Sequence, residues 1–315
     1  MTALWIILGV LAFAVVATLL TAYICFRMAF YVKEKHIVAA DEYPIPPGEE
    51  YEPFREQMVE WMKQTKQLPY EEIWITSFDG LKLYGKYYEY APGAPVELMF
   101  HGYRGSGERD LCGGVLRCFA LERNVLIVDQ RACGHSDGNV ITFGIYEHRD
   151  CLSWLDYAMR RFGDRQKIML TGISMGASTV LIASGYDLPD NVVCILGDCG
   201  FSSAREIIKS VIHGMKLPAD LLYPFVRLGA KLFGKFDPDE TSALEMVKKT
   251  KKPVFFIHGE EDDFVPCQMS KDMYEVCTAP KRLVITPKAC HGTAYMVDTD
   301  LYFRELRDFC KQQGI

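Results

Sequence analysis

From Val96 onward one unit repeats: a short apolar run, a loop carrying glycine, then a segment of helical periodicity. The runs fall at about Val96 to Phe100, Val125 to Val128, Lys167 to Leu170, Val192 to Leu196, Val254 to Ile257 and Leu283 to Ile285. Runs this short, apolar on both faces, suit buried parallel strands. The spacing predicts helices over Asp110 to Glu122, Tyr146 to Arg161, Ala177 to Tyr186, Ser270 to Cys277 and Thr299 to Gln312. Strands alternating with helices predict an α/β protein with a mostly parallel sheet covered on both faces. Ahead of the repeat, Glu71 to Ser77 and Leu81 to Tyr90, joined by Phe78-Asp79-Gly80, predict an antiparallel β-hairpin. Loops at the carboxyl ends of the parallel strands then converge on one edge, where such sheets bind ligands.

Between the third run and its helix lies Gly172-Ile173-Ser174-Met175-Gly176. A G-x-S-x-G pentapeptide between strand and helix forces the serine into a strained turn, and the small flanking residues let neighbouring backbone pass close by. A serine hydroxyl barely ionises at neutral pH, so as a nucleophile it needs a base, usually a histidine oriented by a carboxylate. Both follow in the chain. Asp262 lies in the acidic loop after Val254 to Ile257, and His291 lies in Cys290-His291-Gly292 after Leu283 to Ile285.

On these residues the chain resembles α/β-hydrolase-fold serine hydrolases, specifically the bacterial esterase, lysophospholipase-like and serine-aminopeptidase-like group with an N-terminal membrane segment. The resemblance spans roughly residues 70 to 315. It rests on His101-Gly102-Tyr103, on Asp129-Gln130-Arg131-Ala132-Cys133-Gly134-His135-Ser136, on the pentapeptide, on His258-Gly259-x-x-Asp262-x-x-Val265-Pro266 and on His291-Gly292. It implies Ser174 as nucleophile, His291 as base, and Asp262 rather than Asp263 as the orienting acid. It also implies an oxyanion hole from the backbone N–H groups of Met175 and of Tyr103, and no metal or organic cofactor. One departure is Ala132, where the family usually has glycine, which questions the conformation of that turn.

Other polar residues have plainer readings. Asp198 ends a strand and is a substitute acid should Asp262 be misplaced. His101, His135 and His258 each sit beside a glycine, where a structural hydrogen bond to nearby backbone is expected. Glu260, Glu261 and Asp263 read as solvated loop charges, and Arg104 as a solvated arginine or as a pocket residue that favours an anionic substrate group.

Leu4 to Phe26 contains no charged residue and as a helix is long enough to cross a ~30 Å hydrocarbon layer. It reads as a single-pass anchor in the cell membrane, because a cleaved secretion signal would carry a positive residue ahead of the run. Arg27, Lys33 and Lys35 follow it, which places the body in the cytoplasm by the positive-inside bias. Eleven cysteines without a C-x-x-C pair, read as reduced and buried, agree with that side. A net charge of −6 argues against a nucleic-acid partner.

The expected organisation is an anchor over residues 1–32, a linker and amphipathic helix over 33–67, and an α/β-hydrolase domain over 68–315. Asp41 to Pro53, broken by prolines and rich in glutamate, reads as a linker too polar to pack. Phe54, Met58, Trp61 and Met62 then fall on one helical face, expected to pack on the body. An insertion over residues 203–236 reads as a small helical cap over the site, with Ile208, Ile212, Leu221, Leu222 and Phe225 able to line an acyl or aryl pocket. The expected function is hydrolysis of small-molecule or lipid carboxylic esters through an acyl-enzyme. A thioesterase or peptidase would use the same three residues, and a non-catalytic ligand-binding protein would keep the fold.

Overall fold

The computed structural model describes residues 1–314. Eight strands form one sheet: β1 Glu71–Thr76, β2 Lys82–Tyr88, β3 Val96–Phe100, β4 Asn124–Val128, β5 Ile168–Ile173, β6 Val192–Asp198, β7 Val254–Gly259 and β8 Lys281–Thr286. Their spatial order is β1-β2-β4-β3-β5-β6-β7-β8. The first two strands join antiparallel, as the hairpin signal predicted, and the remaining six run parallel. The main helices are α1 Thr2–Ala29, α2 Arg55–Gln67, α3 Cys112–Ala120, α4 Glu147–Phe162, α5 Met175–Ala183, α6 Ala204–Gly214, α7 Ala219–Gly229, α8 Gln268–Val276 and α9 Thr299–Gln312.

Period-two alternation along the strands feeds two separate cores. Leu98, Phe100, Leu126, Leu170 and Phe256 pack with Trp154 of α4 and Met273 of α8 on one face. Their neighbours turn the other way: Met99 and Ile127 meet Val115 of α3, while Phe255 and Ile257 meet Leu306 and Phe309 of α9.

A third core lies outside the sheet, at the carboxyl end of α1. The first part of that helix is exposed and apolar, of a length and composition that would cross a membrane. Further along, Ala22, Phe26 and Phe30 are buried, and the last two share a cluster with Phe143, Ile208, Tyr223, Val226 and Phe236. Gly229 of α7 sits so close to α1 that a Cβ there would overlap the carbonyl oxygen of Ala22. Phe233 packs edge-on to Tyr23, with ring centroids 5.2 Å apart. The two helices therefore run side by side in the same direction.

Two expectations are corrected here. The insertion over residues 203–236 does not roof the site: its apolar side packs on α1, Ile208 is buried there, and Leu221 is exposed to solvent. Nor is the stretch from Asp41 to Pro53 a free linker. Glu49–Phe54 forms a short 3₁₀ helix with Tyr51 buried, and Lys66 Nζ donates to the carbonyl oxygens of Ala39 and Glu42. Proline narrows the unfolded ensemble of such a segment, so one buried aromatic and a few hydrogen bonds suffice to seat it. The face of α2 packs on the body as expected, with Met62 buried and Trp61 stacked on Tyr295 at 5.4 Å.

Candidate active site

Ser174 stands between the end of β5 and the start of α5 with φ 55 and ψ −117, a left-handed conformation that side chains normally avoid. Such strain persists only where the surroundings enforce it. Here Gly172 lies against the backbone of Gly176, and Gly176 lies against the carbonyl oxygen of Phe100, so a Cβ at either position would overlap backbone atoms. The turn is thus wedged between β3 and β5, with the hydroxyl at the carboxyl edge of the sheet.

His291, in the loop after β8, brings Nε2 to 2.9 Å from Ser174 Oγ. Its Nδ1 lies 2.7 Å from Asp262 Oδ2, from the loop after β7. The three side chains are almost wholly buried. With Nδ1–H donating to the carboxylate, Nε2 is left free to accept the serine proton. The ring of Phe264 packs edge-on to His291 at 5.1 Å and limits its swing.

Asp262 is held from four sides. Backbone N–H groups of Phe264 and Val265 donate to Oδ1 at 3.0 and 2.8 Å. His258 Nε2 lies 3.1 Å from Oδ2, and Ser270 Oγ lies 2.7 Å from its Nδ1. Burial alone would raise the carboxyl pKa, but the hydrogen bonds from His258 and His291 outweigh it and hold the value at about 2. The carboxylate is therefore ionised at any physiological pH. The sequence reading gave His258 only a structural backbone bond; it makes one, to Val265 O at 2.9 Å, and also shares the carboxylate with His291. The signal for that was the four-residue spacing from His258 to Asp262.

The loop after β3 passes beside Ser174, where a Cβ on Gly102 would stand 3.5 Å from Ser174 Cβ. His101 fixes this loop from beneath. Its Nδ1 bonds Gly102 O at 2.7 Å and its Nε2 accepts from Gln130 N–H at 2.9 Å, while burial lowers its pKa and keeps it neutral. Met175 is the first residue of α5, so its N–H has no carbonyl one turn back to pair with. The Tyr103 and Arg104 side chains point away to the end of α1: the phenol donates to Ala29 O at 2.7 Å and the guanidinium to Met28 O and Tyr31 O.

The remaining residues fall largely as read. His135 pairs with the Asp129 carboxylate rather than with backbone, Glu260, Glu261 and Asp263 are exposed, and Asp262, not Asp198, bonds the imidazole. Ala132 takes the glycine-like φ of 63, so the turn keeps its conformation despite the substitution. Cys199, Asp262 and His291 offer ligand atoms within 4.8 Å of one another. That set does not suit a cation, because the carboxylate and imidazole bond each other and burial raises the thiol pKa well above its usual value.

Ser174 and His291 open into a cavity of about 330 Å³. Its roof comes from Pro46, Pro47, Glu50, Tyr51, Met58 and Trp61, the segment read as linker and amphipathic helix. No residue of 203–236 lines it.

Comparison with known proteins agrees with this architecture. The family described as alpha/beta hydrolase fold matches residues 98–243. The Bacillus subtilis protein YqkD is 31% identical over 187 residues, which cover 59% of this chain and 61% of that protein, so the chain matches about three fifths of that relative's length. Protein bem46 of Schizosaccharomyces pombe is 27% identical over 226 residues, 70% of this chain and 69% of that protein. Among solved structures, the Pyrococcus furiosus esterase Pf2001 superimposes with a TM-score of 0.64 at 22% identity, covering 89% of this chain and 99% of that one. A likeness at that identity speaks to the fold. With the sheet order and the strained turn after β5, these matches show that the chain has the α/β-hydrolase fold.

Proposed function

We propose that this chain is a membrane-anchored serine hydrolase that cleaves carboxylic esters through an acyl-enzyme. The observation that supports this reading is the unbroken hydrogen-bond chain from Ser174 Oγ through His291 to Asp262. Ser174 Oγ attacks the ester carbonyl while His291 Nε2 takes its proton, and Asp262 stabilises the imidazolium that forms. Negative charge on the carbonyl oxygen is met by the N–H groups of Met175 and Tyr103, and removal of one such donor typically costs about 3 to 4 kcal/mol of transition-state stabilisation. His291 then returns the proton to the leaving alkoxide, and the alcohol departs. Water, deprotonated by the same nitrogen, attacks the acyl-serine, and the acid leaves with Ser174 reprotonated. No step calls on a metal or organic cofactor.

On this reading α1 anchors the chain and Arg27, Lys33 and Lys35 hold the body on the cytoplasmic side. Residues 33–67 serve as a strap that completes the site. The cavity lies near the small end of the range for ligand pockets, about 300 to 1,000 Å³, which favours acyl groups of modest size over long lipid chains. A fluorophosphonate probe should label the full-length protein in membranes and leave the Ser174→Ala variant unlabelled. Absence of labelling on folded wild type would refute the reading.

A further inference from the structure

Next to Ser174, whose N–H donates to Asp198 O at 2.8 Å, the cavity is bounded by β5, β6, α3 and α9, and there its walls become polar. Arg117, Thr171, Asp198 and Tyr302 line it together with Met99 and Leu196. All four polar residues are at most 6% exposed. Buried polar groups in folded proteins are nearly always paired, so those without partners carry information. Among the described residues four buried side-chain atoms lack a hydrogen-bond partner, and two of them, Arg117 Nη1 and Asp198 Oδ1, belong to residues lining this recess.

Both residues are otherwise held in place. Arg117 Nη2 pairs with Glu97, which also receives Arg123 Nη1 at 2.9 Å and Thr171 Oγ1 at 2.8 Å. Asp198 Oδ2 lies 3.3 Å from the Tyr302 hydroxyl, and the Arg117 guanidinium sits over the Tyr302 ring at 5.6 Å. The recess thus presents one spare donor and one spare acceptor on a rigid frame. The charges balance, with Arg117 and Arg123 against Glu97 and Asp198.

We infer that this recess binds a neutral group that both donates and accepts a hydrogen bond, a hydroxyl first of all, carried on the acyl chain. The inference rests on the proposed hydrolase reading and narrows its substrate class. In the acyl-enzyme the acyl group is bonded to Ser174, whose N–H donates to Asp198 O at 2.8 Å, so the acyl portion is the part of the substrate brought to this recess. A hydroxyl offers a donor for Asp198 Oδ1 and an acceptor for Arg117 Nη1. A carboxylate would meet Arg117 but oppose Asp198, an ammonium would do the converse, and a methyl terminus would leave both unpaired. Sites built to hydrogen-bond a substrate hydroxyl reject the analogue that lacks it far more strongly than apolar pockets sort chain length.

The test compares ethyl esters of ω-hydroxyalkanoic and plain alkanoic acids, matched in heavy-atom count over a series of lengths, with the full-length protein in detergent. At the best-fitting length the hydroxylated ester should show kcat/KM higher by about tenfold or more. Asp198→Leu should collapse that ratio towards one. Independently of how that variant folds, calorimetric binding to Ser174→Ala of methyl ketones with and without a terminal hydroxyl supplies a second reading, and the hydroxylated ketone should bind more tightly. Equal or better use of the plain chains by a protein that fluorophosphonate labels at Ser174 overturns the recess and leaves the hydrolase reading standing. Preferential binding of the hydroxylated ketone without labelling of wild type supports the recess and removes the hydrolase reading.

Discussion

The phenol of Tyr103 donates to the carbonyl oxygen of Ala29 at 2.7 Å, which ties the loop beside Ser174 to the last residue of the apolar helix. Arg104, the next residue, binds the same helix end through Met28 O and Tyr31 O. On the proposed mechanism Tyr103 supplies an oxyanion donor from its backbone, so the placement of that donor depends on an element far away in sequence. Tyr103→Phe keeps the ring against Phe143 and removes only the tether. We expect kcat to fall about fivefold, the kinetic equivalent of one lost hydrogen bond of about 1 kcal/mol, with little change in KM. Unchanged steady-state kinetics would detach the helix from the site.

Phe30 is fully buried and meets Phe143 and Phe236 edge-on, at 5.7 and 5.1 Å. Phe30→Ala should therefore destabilise the α/β body by about 3 to 5 kcal/mol, as expected for a large aromatic removed from a packed core. Thermal unfolding in detergent measures it. A negligible shift would mean that the end of α1 is not part of the folded unit.

Asp262 carries a linkage signature. Its folded-state pKa of about 2 lies below the usual 3.8, so its ionised form stabilises the fold above pH 4, and that contribution, about 2 kcal/mol, fades as pH falls from 4 through 2. Asp262→Asn should flatten the acid limb of the stability profile. On the proposed mechanism it should also lower kcat by about 10⁴-fold, since the imidazole loses its tautomer and its counter-charge.

Asp198 behaves in the opposite sense. Burial raises its pKa from 3.8 to about 6, so the native state binds more protons than the unfolded chain between those values and stability falls as pH rises through that window. Asp198→Asn should stabilise the protein at pH 7, by up to about 3 kcal/mol, and the gain should vanish below pH 4. Melting curves at the two pH values check the sign. A variant less stable than wild type at pH 7 would contradict it.

Much of this was legible in the sequence because each strand is a short apolar run, and each site residue lies in a loop just after one. Val96 to Phe100 is a strand over that same span, and Ser174, Asp262 and His291 meet above the edge where their runs end. The roof of the cavity was not legible. Pro46, Pro47 and Glu50 have the composition of a linker, and the single aromatic that seats them, Tyr51, gives no periodicity to read. The insertion at 203–236 misled for a related reason: Ile208 and Val226 show that a surface is apolar, but not that its partner is Phe26 rather than a ligand. Arg117 gave no signal as a cavity residue, since only the fold brings its side chain and that of Asp198 into one cavity.

The most direct measurement is peptide mass spectrometry on enzyme acid-quenched during turnover of an activated ester. The account predicts the mass of the acyl group on the peptide carrying Ser174, absent from Ser174→Ala. Turnover with no adduct, or with the adduct on another residue, would contradict it.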